Sequence, residues 1–111
     1  MEISKQDIYG SELADAEMQL VNENGEVIDE WVSNGTNHVV TELPVGKYVL
    51  KEIAAPDGYV IATDISFEVF TDGSAIVENV DATAVTEDGH PLIIMVDNTT
   101  KVEISTSKNP F

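Results

Sequence analysis

Apolar residues in this chain recur at every second position, in short runs broken by Gly, Pro, Asn and Asp. Ile65, Phe67 and Val69 alternate with Asp64, Ser66 and Glu68, and Ala16, Met18 and Leu20 alternate with polar neighbours. A period of two is the signature of a strand with one buried face. Asn22-Glu23-Asn24-Gly25, Pro56-Asp57-Gly58 and Asp72-Gly73 carry the turn chemistry that separates such strands. Further strands are predicted over 26–33, 39–43 (closed by Pro44), 46–54, 75–80 and 92–98, and the polar stretch 81–90 reads as a loop. Seven or eight short strands with no helical period predict an all-β sandwich.

Three charged residues break the alternation by sitting on apolar faces. Lys5 lies two positions after Ile3, so if Ile3 faces the core, Lys5 does too. Asp97 shares parity with Ile93 and Met95 at the end of the last run, while Asn98 shares the opposite parity with Ile94 and Val96. In the strand around residue 50, Tyr48, Leu50 and Glu52 oppose Val49, Lys51 and Ile53. Apolar counts do not choose between these faces, but Lys51, strongly hydrated and flexible, prefers water and so sends Glu52 inward.

Burying an unpaired charge costs several kcal/mol or more, so one amine and two carboxyls on inward faces require an explanation. Strand-end charges that reach water, or a buried salt bridge, are the commoner ones; a reactive cluster is the other.

Longer motifs add a resemblance. Ile3-Ser4-Lys5-Gln6-Asp7, Leu43-Pro44-Val45-Gly46-Lys47-Tyr48, Glu52 followed by Ala54-Ala55-Pro56-Asp57-Gly58-Tyr59, and Ile94-Met95-Val96-Asp97 occur in order with matching spacing. Together they resemble a Cna B-type domain, a module of Gram-positive surface adhesins and pilins, from Ile3 to about Thr100. The resemblance implies a Greek-key sandwich of the immunoglobulin or prealbumin kind. It also implies a spontaneous isopeptide bond between a first-strand Lys and a last-strand Asn or Asp, assisted by a mid-chain acid. Carried over by motif, Lys5 and Asp97 are the cross-linking pair and Glu52 is the catalytic residue. Many relatives use Asn as acceptor, which makes the neighbouring Asn98 the competing candidate; its parity turns it away from Lys5 unless a bulge shifts the register.

The implied chemistry gives each residue a reason. Lys5 must attack as a free amine, and desolvation disfavours the ammonium form. Asp97 must be the electrophile, and burial favours the neutral acid over a carboxylate that repels nucleophiles. Glu52 can shuttle a proton from amine to acceptor, polarise the carbonyl and help water leave. The three exchange protons as a coupled set. Fixed proximity supplies effective molarities of roughly 10⁵ to 10⁸ M, so folding itself is the catalyst. Each molecule reacts once, on itself, which is not enzymatic turnover.

Composition narrows the remaining classes. A chain of 111 residues suits one domain with a two-layer core. Without cysteine it has neither a disulfide nor a thiolate metal site. Five lysines against 21 acidic residues give a net charge of −16, which opposes nucleic acid and anionic membrane surfaces as partners. No Asp-x-Asp-x-Asp-Gly calcium loop occurs, His38 and His90 lack companion ligands and read as surface histidines, and no cofactor or metal is expected. Trp31, Tyr48, Tyr59, Phe67 and Phe70 are spread across strands, a pattern of core and edge packing more than of a sugar platform. No nucleophile motif with a general-base histidine is present.

The expectation is therefore an extracellular, cell-surface stalk module, monomeric when isolated. Its partners would be neighbouring modules of the same protein, with export and wall-anchoring signals outside this segment. Adhesive binding of a host matrix protein or glycan is the alternative, and an uncross-linked prealbumin-like spacer is another. Residues 1–100 are assigned to the domain. Glu103-Ile104-Ser105 echoes Glu2-Ile3-Ser4, so 101–111 is read as a linker, the start of a following module or a tail.

Overall fold

The computed structural model describes residues 1–79 and 83–100. Within them lie nine strands: β1 (Glu2–Asp7), β2 (Glu17–Asn22), β3 (Val27–Val32), β4 (His38–Val39), β5 (Gly46–Ala54), β6 (Ile65–Val69), β7 (Ala75–Val77), β8 (Ala84–Val85) and β9 (Pro91–Asp97). They form a four-stranded sheet in the order β4-β1-β9-β8 and a five-stranded sheet in the order β3-β2-β5-β6-β7. No described helix is long and apolar enough to cross a membrane.

The alternation read from the sequence decides which side chains fill the space between the sheets. Ile3, Ile93 and Met95 from one sheet meet Met18, Leu20, Leu50 and Phe67 from the other, all nearly or fully buried. Burying each such side chain contributes roughly 1.5–3 kcal/mol relative to leaving it in water. Phe67 also stacks on Tyr48, with ring centroids 5.6 Å apart, and the Tyr48 hydroxyl donates to the Pro44 carbonyl at 2.5 Å.

First and last strands are neighbours. β1 and β9 run parallel, with Ile3 opposite Ile93, Lys5 opposite Met95 and Asp7 opposite Asp97. A parallel pair cannot be joined by a tight turn, and here the rest of the domain forms the connection.

The strand count exceeds the expected seven or eight because two strands are only two residues long. The stretch 81–90, read as a loop, contains β8, which pairs with Pro91 and Leu92 across a turn closed by Thr86 and Gly89. Its polar turn residues hid the short hairpin. The expected strand over 39–43 shrinks to β4, because Glu42 adopts a left-handed φ of 53° that ends the extended run. The end of the predicted strand 75–80, at Val80, and the whole of 101–111 with its sequence echo lie outside the described residues.

On one flank the two sheets meet through a polar clasp. His38 of β4 stacks on Trp31 of β3 with centroids 3.8 Å apart and planes within 4°, and its Nε2 lies 2.7 Å from Asp29 Oδ2. His38, expected at the surface, is therefore half-buried between two strands. Ser4 also departs from its parity: it points away from the core yet is buried, because the segment after β1 folds back and places Glu12 against its hydroxyl. Gln6 Nε2 donates to the same Ser4 oxygen at 2.8 Å.

Candidate functional site

Lys5, Glu52 and Asp97 all point between the sheets, as their parity predicts, and all three are buried. β1 supplies the amine and β9 the aspartyl carboxyl within one sheet, while β5 supplies Glu52 from the facing sheet. Because Lys5 stands opposite Met95, its long side chain leans along the strand to reach Asp97, two residues further on. Lys5 Nζ lies 2.5 Å from Asp97 Oδ1 and 3.7 Å from Glu52 Oε2. Apolar neighbours wall the cluster: Met95 beside Lys5, and Met18 paired across from Glu52.

The Lys5–Asp97 contact is unusual for a salt bridge. A charge-assisted N–H···O bond settles at about 2.7–2.9 Å along the donor axis. Here the approach is closer, and Lys5 Nζ and both Asp97 oxygens lack a hydrogen bond of acceptable direction. A buried pair held only for stability is expected to satisfy its polar atoms; this one leaves them close but without a well-directed hydrogen bond.

Glu52 is held differently. Its Oε1 accepts a hydrogen bond from the Ala62 backbone N–H at 2.7 Å, leaving Oε2 toward the amine. Burial pushes the Glu52 carboxyl up to about 7, the adjacent Asp97 carboxyl adds to the rise, and the Ala62 N–H and the Lys5 charge oppose it. Near neutral pH this carboxyl is thus poised to give or take a proton.

Ala62 is the participant that the sequence did not disclose. Its segment is pinned beside β9 by Val60 N–H donating to the Asn98 carbonyl at 2.9 Å and by a bridge between Tyr59 and Thr99. A backbone donor leaves no side-chain signature; the only hint was the Pro56-Asp57-Gly58 turn that sends the chain back toward the site. Asn98 itself, one residue past the end of β9, is exposed, whereas Asp97 is fully buried. Among the described residues, no group of three or more His, Cys, Asp or Glu side chains is arranged to hold a metal ion.

Two facing sheets, with the first and last described strands side by side, form a prealbumin-like sandwich. The chain belongs to the SpaA prealbumin-like fold domain family, whose model matches residues 1–84. Among solved structures it is similar to the pilus-presented adhesin Spy0125 (Cpa), at 30% identity and a TM-score of 0.62 over 73% of this chain and 18% of that one. The pilus adhesin SpaC from Lactobacillus rhamnosus GG, in an open conformation, shares the fold at 23% identity and a TM-score of 0.67, over 92% of this chain and 15% of that one. So does BcpA, the major pilin subunit of Bacillus cereus, at 22% identity and 0.59, over 88% of this chain and 27% of that one. The chain therefore spans about a fifth of the adhesin it matches at 30% identity. No curated protein sequence gives a significant match.

Proposed function

We propose that this domain is a stalk module of a bacterial surface adhesin or pilin, locked by an isopeptide bond that Lys5 and Asp97 form with help from Glu52. The observation that carries the reading is the 2.5 Å approach of Lys5 Nζ to Asp97 Oδ1 inside a sealed core. Kinship with a domain of a pilus-presented adhesin supports the cell-surface setting. Neighbouring modules of the same protein are then the natural partners, and wall anchoring would reside elsewhere in the parent protein.

The reaction begins with proton transfer from the Lys5 ammonium to the Asp97 carboxylate, which removes both charges from the dry site. Glu52, as the acid, donates a hydrogen bond to the Asp97 carbonyl oxygen while the Lys5 amine attacks Cγ. Glu52 gives its proton to that oxygen, takes the amine proton in exchange and passes it to an Asp97 hydroxyl, which departs as water, and the remaining hydroxyl returns its proton to Glu52 as the amide carbonyl re-forms. One C–N bond forms, one C–O bond breaks, and Glu52 returns to its starting state. The product is one water lighter than the encoded chain, and the process occurs once per molecule.

The position of the bond explains its use. Lys5 and Asp97 are 97 − 5 = 92 positions apart, yet sit on adjacent parallel strands. Force entering at the start of β1 and leaving at the end of β9 would cross the amide and bypass nearly all of the domain. Peptide mapping tests the assignment. A digest should yield one branched peptide joining Lys5 to Asp97; two separate linear peptides with free Lys5 and Asp97 would leave an uncross-linked spacer held by a buried ion pair.

A further inference from the structure

We propose that the free edge of β3 and the groove beside it form a docking site for an extended cationic segment in which basic and apolar side chains alternate. β3 ends the five-stranded sheet: it pairs with β2 on one side, and no described strand pairs with the other. Edge strands in stable monomers are usually blunted by charged side chains, Pro, bulges or an extreme shortness. β3 is six residues long, Val27-Ile28-Asp29-Glu30-Trp31-Val32, with neither Lys nor Pro; its charges, Asp29 and Glu30, are both acidic and so guard the edge against acidic strands but not basic ones, and Val27, Ile28 and Val32 are all exposed.

Next to this edge runs a groove of about 550 Å³ whose lining includes Ile28, Val39 and Val45 together with Glu23, Asp29 and Glu42. Its one cationic lining residue is Lys47. Glu42 is held at a φ of 53°, in the left-handed region, a conformation that costs about 1–3 kcal/mol for a non-glycine residue and tends to persist at ligand-binding positions. An unpaired strand edge supplies main-chain hydrogen bonds, and pockets alongside it select alternate side chains.

Charge decides the occupant. A second copy of the chain would bring a net charge of −16 against the same charge and place Asp29 and Glu30 near their own counterparts, a destabilising cross-strand arrangement. A strand with Lys or Arg at alternate positions instead meets the Glu23 and Glu42 carboxylates while its apolar residues rest on Ile28, Val39 and Val45.

The test is an NMR titration of the ¹⁵N-labelled protein with a capped lysine–valine alternating hexapeptide, alongside lysine–glycine and glutamate–valine controls. The expected result is shifts confined to β3, β4 and residues 41–45, with both controls binding at least tenfold more weakly. Ile28→Lys and Glu42→Lys, both at exposed positions, should each weaken the lysine–valine peptide at least tenfold without altering the melting temperature. Equal binding of the lysine–glycine peptide, shifts scattered over the acidic surface, or unaltered affinity in both variants would overturn the proposal. So would β3 shifts that appear on dilution, or on deletion of residues 101–111, without any peptide, since they would assign the edge to a second copy or to the chain itself.

Discussion

Under the proposed mechanism, replacing Glu52 with Gln removes the proton shuttle while keeping nearly the same volume and a carbonyl able to accept the Ala62 N–H. Lys5 and Asp97 remain as a buried pair, so the variant should fold but stay unlinked. What it loses is the covalent closure of a loop of about 92 residues, for which the chain-entropy model gives about 4–5 kcal/mol. A domain near 100 residues has an unfolding entropy of about 0.2 kcal/mol/K at its midpoint, so the melting temperature should fall by about 20 °C. Thermal unfolding followed by circular dichroism, paired with intact mass on the same samples, reads both quantities. A Glu52→Gln protein that loses a water as readily as wild type would refute the role of Glu52. One that stays unlinked yet melts within a few degrees of wild type would refute the stabilising role of the bond.

Other consequences can be checked independently. Glu52, raised to about 7 by burial, keeps its proton up to that pH and loses it above; linking of freshly synthesised protein, timed by mass, should therefore slow about thirtyfold between pH 6 and pH 8.5, and a rate that rises over this range would contradict the acid role. Ala62→Pro deletes the N–H that holds Glu52, leaving a buried carboxyl oxygen unsatisfied at about 1–3 kcal/mol, and should give a mixture of linked and unlinked mass where wild type gives one. Phe67→Ala, at a fully buried position, should cost about 3–5 kcal/mol and yet still yield linked protein, because the variant leaves the cluster intact; complete loss of linking with the fold retained would show that the site depends on core packing far from it.

The buried cluster was legible because a strand's period of two is unforgiving: apolar neighbours fix the parity of Lys5 and Asp97, the hydration of Lys51 decides that of Glu52, and the structure puts all three indoors. The same rule separated Asp97 from Asn98. Parity failed at Ser4, where burial comes from a segment folded over the outer face, a tertiary event with no local signal. It was silent on Ala62, whose contribution is a backbone amide, and on His38, whose partners Trp31 and Asp29 belong to a strand of the other sheet. β4 and β8 are too short for any period to be read. What alternation shows is which face a residue takes, and what it omits is which distant segment arrives to meet it.

The most direct test of the central claim is the intact mass of the denatured wild-type protein measured beside Lys5→Ala. The account predicts wild type lighter than its encoded mass by one water and Lys5→Ala at its full encoded mass. A wild-type mass equal to the encoded value would contradict the cross-link, and loss of ammonia in place of water would move the acceptor from Asp97 to Asn98.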